Sequence, residues 1–240
     1  HYLRDSDAFL RAKQHAGSLR TYSAQQIADG AKQGSWAQQN KQGGVTQSGA
    51  PPANPSAPAT DSSAPLANVT YQRVRPSNNM IEWNKGNFRI SYPENWRAQA
   101  DQNSALTIAP QAGTSEGAIA YGVIVGAVQD RNANSSEPAL NQATDNLIRG
   151  LQQSNPDLRQ SGTPPQGIQV GGEQGRSVVL MGRSPVQQGN QSLAEHDWLI
   201  TVADPQGGLV YLLFIAPENE FSQVRPVYER MLNSFQFSGQ

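Results

Sequence analysis

Cysteine is absent from this chain, which removes disulfides, thiolate metal ligation, iron–sulfur clusters and cysteine nucleophiles together. Histidine is scarce. His1, His15 and His196 are the three present, and no two stand close enough to form a paired-histidine zinc helix. Charge is thin as well: 15% of residues are charged and 36% apolar, against roughly 25% and 45–50% in an ordinary globular domain. A net charge of −1, from 18 Lys and Arg against 19 Asp and Glu, offers no basic field to draw nucleic-acid phosphates or anionic lipid. Long apolar runs are missing too. The longest, Ala118 to Val128 and Leu209 to Ala216, fall well short of the roughly 20 residues a membrane-crossing helix needs.

What fills the gap is Gln, Asn, Ser, Gly and Pro, and they are unevenly spread. Between residues 33 and 68 the sequence runs from a Gly- and Gln-rich part into Ala50-Pro51-Pro52-Ala53-Asn54-Pro55-Ser56-Ala57-Pro58, a composition that reads as a linker, flexible first and polyproline-like later. Trp36 is its one large aromatic residue. It reads either as an anchor pinning the linker to a surface or as a locally packed side chain of the tether. Residues 1–32 read as a short helical segment. Ser6 can cap a first helix bearing Phe9 and Leu10, and Ser23-Ala24-Gln25-Gln26 has the form of a capping box. Both helices carry little apolar surface, and helices of this length are marginal alone, so they are expected to pack on another body. The opening His1-Tyr2-Leu3-Arg4 has neither a basic nor an apolar leader pattern and reads as a fragment or a processed product. Fourteen Arg to 4 Lys, with no cysteine, point to an exported bacterial protein of the periplasm or cell envelope.

Residues 69–240 have the patterning of one compact domain. Arg73-Val74-Arg75 leads in, and Met80 to Trp83, Phe88 to Tyr92, Trp96 to Ala98 and Ala105 to Ala109 read as strands separated by turn residues. Ala118 to Val128 is nearly continuous apolar sequence and predicts a central strand covered on both faces. The spacing of Leu140, Ala143, Leu147, Ile148 and Leu151 predicts an amphipathic helix entered through Pro138 and stopped at Asn155-Pro156. Gly167 to Val170, Arg176 to Met181, Leu193 to Val202 and Leu209 to Ile215 follow as strands. Gly171-Gly172 and Asp204-Pro205-Gln206-Gly207-Gly208 serve as turns, and Pro185 to Asn190 as a longer connection. A last helix carries Val224, Val227, Tyr228, Met231 and Leu232 on one stripe and is expected to begin near Ser222, with Pro226 in its first turn. The expected fold class is α+β: an antiparallel sheet flanked by helices on both faces, an α/β/α sandwich.

Chemistry-bearing constellations are few, and the expectation is a chain with no catalytic residue, no metal site and no cofactor. His196 is the one histidine in the predicted core. Alternation puts it on the face of Ala194, Trp198 and Ile200, where it is expected to be a hydrogen-bonded packing residue near a strand end. Glu195 and Asp197 then point the other way, toward cross-strand partners or solvent. Gly171 to Gly175 leads into a strand and not a helix, so it reads as a hairpin turn, not a phosphate loop. His196, Asp197 and Trp36 remain as candidates for contact with a partner.

The string Phe88-Arg89-Ile90-Ser91-Tyr92-Pro93-Glu94-Asn95-Trp96, the block Tyr121-Gly122-Val123-Ile124-Val125-Gly126 and the ending Met231-Leu232-Asn233-Ser234-Phe235 resemble the Mog/PsbP-like fold family over about Met80 to Phe237. The resemblance implies an antiparallel sheet between helices and a non-catalytic binding or assembly role. Tyr2 to Lys13 is similar to the segment that follows the catalytic domain in exported bacterial zinc metallopeptidases of the BepA-like and HtpX-like type. That second resemblance implies only context, the C-terminal accessory region of an envelope peptidase whose HExxH helix is absent here. The expected function is therefore a non-catalytic accessory or protein-interaction domain, with a protein partner or upstream peptidase domain. A free-standing PsbP-like exported binding protein or lipoprotein-derived assembly factor is the alternative.

Overall fold

The computed structural model describes residues 66–100, 105–115, 118–130 and 132–238. The helical segment expected over 1–32, the linker up to residue 65 and Trp36 lie outside the described residues. The first half of the fold comprises β1 (Leu66–Ala67), a one-turn helix α1 (Tyr71–Val74), β2 (Met80–Lys85), β3 (Phe88–Pro93), β4 (Arg97–Gln99) and β5 (Leu106–Ala109). The chain continues through β6 (Thr114–Ser115), β7 (Ala118–Ile119), β8 (Gly122–Val128) and the long helix α2 (Glu137–Ser154). The second half holds β9 (Arg159–Gln160), β10 (Gln166–Val170), β11 (Glu173–Gln188), β12 (Gln191–Ala203), β13 (Leu209–Pro217), helix α3 (Phe221–Ser234) and β14 (Gln236–Phe237).

The fold is α+β. The principal sheet runs β1-β11-β12-β13-β8-β5-β4, with β9 and β10 also paired to β11. Every pairing in it is antiparallel except β1 with β11. β13 explains the layering. All nine of its residues are buried, so hydrophobic cover is needed on both faces. Val210, Leu212, Phe214 and Ala216 face one cluster with Val224, Tyr228 and Met231 of α3, while Leu209, Leu213 and Ile215 face the other with Leu140, Ala143, Leu147 and Leu151 of α2. A small sheet, β14-β3-β2, closes the α3 side through Ile90 and Phe237.

Several local expectations are corrected. The apolar stretch 118–128 is two strands, because the backbone breaks at Ala120-Tyr121; β7 pairs with β6, and β8 pairs with β5 and β13. Gly122, at φ +150°, makes the passage: a β-carbon there would lie 2.6 Å from the Ile108 carbonyl oxygen. Pro185 to Gln188 belong to β11, not to a connection; the hairpin extends to a tight turn at Gly189-Asn190. Its register shifts between Arg183 and Gln187, and Pro185, which cannot donate to the ladder, sits within that irregularity. The shift also changes faces: Val178 and Leu180 join the α2 cluster, whereas Val186 joins the α3 cluster. There Val186 is met by Leu66 of β1, so Leu66–Ala67, read from sequence as the end of the linker, pair with the sheet. Arg73-Val74-Arg75, expected only as a lead-in, takes helical form at its start. It ends one helical turn that buries Val74, and Arg75-Pro76 stops the helix because a residue before proline disfavours helical backbone. Helix α3 starts at Phe221 after a 3-10 turn over Glu218–Glu220, which places Pro226 in the second turn.

Candidate functional site

Strand β12 carries the site because its alternation separates two sets of side chains. His196 and Trp198 share the α3 face with Ile200 and Val202, while Glu195 and Asp197 share the opposite face with Leu199 and Thr201. Glu195 and Asp197 are 2% and 1% exposed, so of the two expected surroundings, cross-strand partners or solvent, solvent is excluded. The residues directly opposite them, Gly182 and Pro217 for Glu195, Leu180 and Ile215 for Asp197, are uncharged. Asp197 therefore does not reach the surface that His196 lines.

On the α3 face the polar side chains are engaged with one another. The Trp198 indole N–H donates to the Ser177 hydroxyl at 2.8 Å, joining β12 to β11. The His196 ring stacks on Phe221 with centroids 3.7 Å apart, and its Nδ1 lies 2.9 Å from a Glu218 carboxylate oxygen. Burial holds the His196 pKa below its usual value; Glu218 opposes that shift and Arg225 adds to it. The neutral imidazole is thus favoured at neutral pH, and Nδ1–H is the donor to Glu218. Arg225 lies over the Trp198 ring at 6.0 Å and donates from Nε to Glu229 at 2.8 Å, one turn along α3. The expectation that His196 is a hydrogen-bonded packing residue holds, but it lies in the middle of β12, paired with Met181 and Ala216, and not near the strand's end.

These groups line a groove of about 450 Å³ bounded by α3 on one side and by β10 with its lead-in Thr163-Pro164 on the other; Ile168 and Leu232 supply apolar wall. Sequence periodicity placed His196 and Trp198 on the right face. It missed Arg225 and Ser177, whose roles follow from register and helix phase. It also missed Gly113-Thr114-Ser115-Glu116-Gly117, which has the spacing of a nucleophile elbow. The context does not fit one, since such an elbow turns from strand into helix and Ser115 lies in β6, which pairs with the following strand β7. Among the described residues no group of three or more His, Asp or Glu could hold a metal ion, and no helix is long and apolar enough to cross a membrane.

Two further polar clusters hold the frame. Arg176, 8% exposed, reaches from β11 to Glu137 of α2 at 2.7 Å and to Asn141. Glu220 accepts from the Tyr121 hydroxyl and from the Tyr71 amide, tying the start of α3 to the break before β8 and to α1.

No protein-family model matches the chain, and no curated protein matches it in sequence. Among solved structures, cyanobacterial PsbP from Synechocystis sp. PCC 6803 is similar at 12% identity and a TM-score of 0.46, over 68% of this chain and 95% of that one. The Ran-binding protein Mog1p of Saccharomyces cerevisiae is similar at 12% identity and 0.44, over 67% and 96%. LpqN of Mycobacterium tuberculosis, involved in cell envelope biogenesis, is similar at 11% identity and 0.36, over 67% and 92%. No residue role is carried across from any of them.

Proposed function

We propose that this chain is a non-catalytic accessory domain of the cell envelope that works by binding a protein partner, and that the groove between α3 and β10 is its contact surface. The observation that carries the reading is the state of the groove's polar groups. His196 is held by Glu218, Trp198 by Ser177 and Arg225 by Glu229, so the aromatic planes and the guanidinium are fixed before anything binds. Such preorganisation lowers the ordering cost of association. Aromatic and arginine side chains are also the residue types on which interface energy concentrates.

A photo-crosslinking amino acid placed at Arg225, in the cells that make the protein, tests this. A discrete protein adduct is expected from position 225 and none from position 145, on the outer face of α2. Equal or absent labelling at the two positions would refute the reading. The finer reading, that the domain is the C-terminal part of an exported zinc metallopeptidase, rests on Tyr2 to Lys13 alone. A paired-histidine zinc helix encoded upstream of His1 is its expected companion; a signal peptide immediately upstream of His1 gives the free-standing exported binding protein instead.

A further inference from the structure

Among the described residues the sheets have three edge strands longer than two residues, and they differ in how they are defended. β4 is three residues long and begins with Arg97. β2 carries Glu82 and Lys85. Short length and charge are the usual devices that stop an exposed edge from pairing with another chain. β10, Gln166-Gly167-Ile168-Gln169-Val170, has five residues and no charge, and among the described residues it is paired on one side only, with β11.

The turn that closes the β10–β11 hairpin sets which backbone groups point away. Gly171 and Gly172 have φ of +57° and +86°, the signature of a two-residue type I′ turn. Val170 and Glu173 flank it as partners and exchange both hydrogen bonds. Bonded pairs then alternate down the ladder, so Ile168 and Gln166 point their amides and carbonyls at β11. Gly167 and Gln169 point theirs outward. Ile168 and Gln166 line the groove beside α3, so a strand laid on this edge would place the residue opposite Ile168 on the α3 face, at the outer rim of the same groove.

We propose that β10 is a strand-addition site, taking one extended, uncharged segment of a partner polypeptide antiparallel to it, with a large aliphatic side chain opposite Ile168. This rests on the protein-binding reading above and names the partner's form. A row of outward N–H and C=O groups is matched in spacing by another backbone, and strand addition draws its affinity from those bonds and its selectivity from alternate side chains. The segment is uncharged because the groove's lining carries no net charge: Arg225 is paired with Glu229 at 2.8 Å, and Ser177, Gln166 and Asn233 are neutral.

The probe is the capped heptapeptide Ac-Thr-Val-Thr-Leu-Thr-Val-Thr-amide, titrated into the full 240-residue chain and followed by amide NMR. Binding is expected to shift Gly167 and Gln169 and to slow exchange of their amide protons. N-methylating the third and fifth peptide amides, which exchange bonds with those two residues, weakens binding roughly tenfold or more. That comparison uses unaltered protein, so it stands even where the companion variant Gln169→Pro fails to fold. Equal affinity for the methylated peptide, or shifts confined to another face, overturns the assignment. A dimer that Gln169→Pro converts to monomer gives the edge to a second copy and overturns it too. If no peptide binds but the crosslink from position 225 forms, strand addition falls and the protein-binding reading stands; if neither occurs, both fall.

Discussion

Tyr228→Phe removes one oxygen from the centre of the molecule and little else. Tyr228 is 0% exposed; its hydroxyl donates to the Ile215 carbonyl at 2.5 Å and accepts from the Gly122 amide at 2.9 Å. Those two residues are register partners at the end of the β8–β13 ladder. The ring's contacts with Phe214 at 5.0 Å, Phe221 at 5.9 Å and Trp96 at 6.1 Å survive the change. What is lost is solvation of a buried N–H and a buried C=O, at about 1–3 kcal/mol for each group left unsatisfied. The carbonyl keeps a second lone pair for other donors, so the expected loss is about 2–4 kcal/mol. Urea denaturation of the purified chain measures it, with an unchanged slope if only stability has moved. The phenol also gives a second readout. Burial raises the pKa of Tyr228, and likewise of Tyr121 and Tyr211. Above about pH 10 the unfolded chain ionises while the fold keeps its protons, so each of the three lowers stability by about 1.4 kcal/mol per pH unit. Tyr228→Phe takes away a third of that alkaline slope. A loss below about 1 kcal/mol together with an unaltered slope would show that the hydroxyl does not hold these strands.

Leu147→Ala is expected to cost about 2–4 kcal/mol, because Leu147 is 7% exposed in the α2 cluster and large-to-small core changes leave a cavity; a melting curve checks it. Gly122→Ala forces a β-carbon to 2.6 Å from the Ile108 oxygen and 2.8 Å from the Ala109 β-carbon, at about 2–4 kcal/mol. Gly86→Ala meets nothing within 4 Å and is expected to cost only about 1–2 kcal/mol for its positive φ. The folded-state pKa of His196 is lowered chiefly by burial, with Glu218 and Arg225 as its charged neighbours and Phe221 stacked on its ring. Below about pH 6.5 the unfolded chain gains a proton that the fold resists. Stability therefore falls as the pH drops through that range, and His196→Gln is expected to flatten this limb of the pH–stability curve.

The strands, the two long helices and the two-sided cover of the sheet were legible because each rests on periodicity. The spacing of Leu140, Ala143, Leu147 and Leu151 found α2, and the unbroken apolar run at Leu209 to Ala216 found β13. What local pattern could not reveal depends on partners distant in sequence. The break before Gly122 follows from the approach of Ile108 and Ala109, and the extension of β11 through Pro185 depends on Leu66 arriving beside Val186. Of the site, alternation put His196 and Trp198 on one face and Asp197 on the other. Arg225 entered only once α3 was phased against β12, and the burial of Asp197 and Glu195 ran against the ordinary preference of carboxylates for water.

A strand greasy on both faces has a weakness of its own. Were β13 to slide one position along β8, no polar residue would be driven inside, so hydrophobicity alone does not forbid the misalignment. Shape does. Tyr211 lies across Gly126, its direct neighbour on β8, so closely that a β-carbon there would sit 2.5 Å from the phenol oxygen. A slide of one or two positions brings Val125, Ala127, Ile124 or Val128 under that ring. A single missing side chain thus acts as the notch that keys these two strands together during folding.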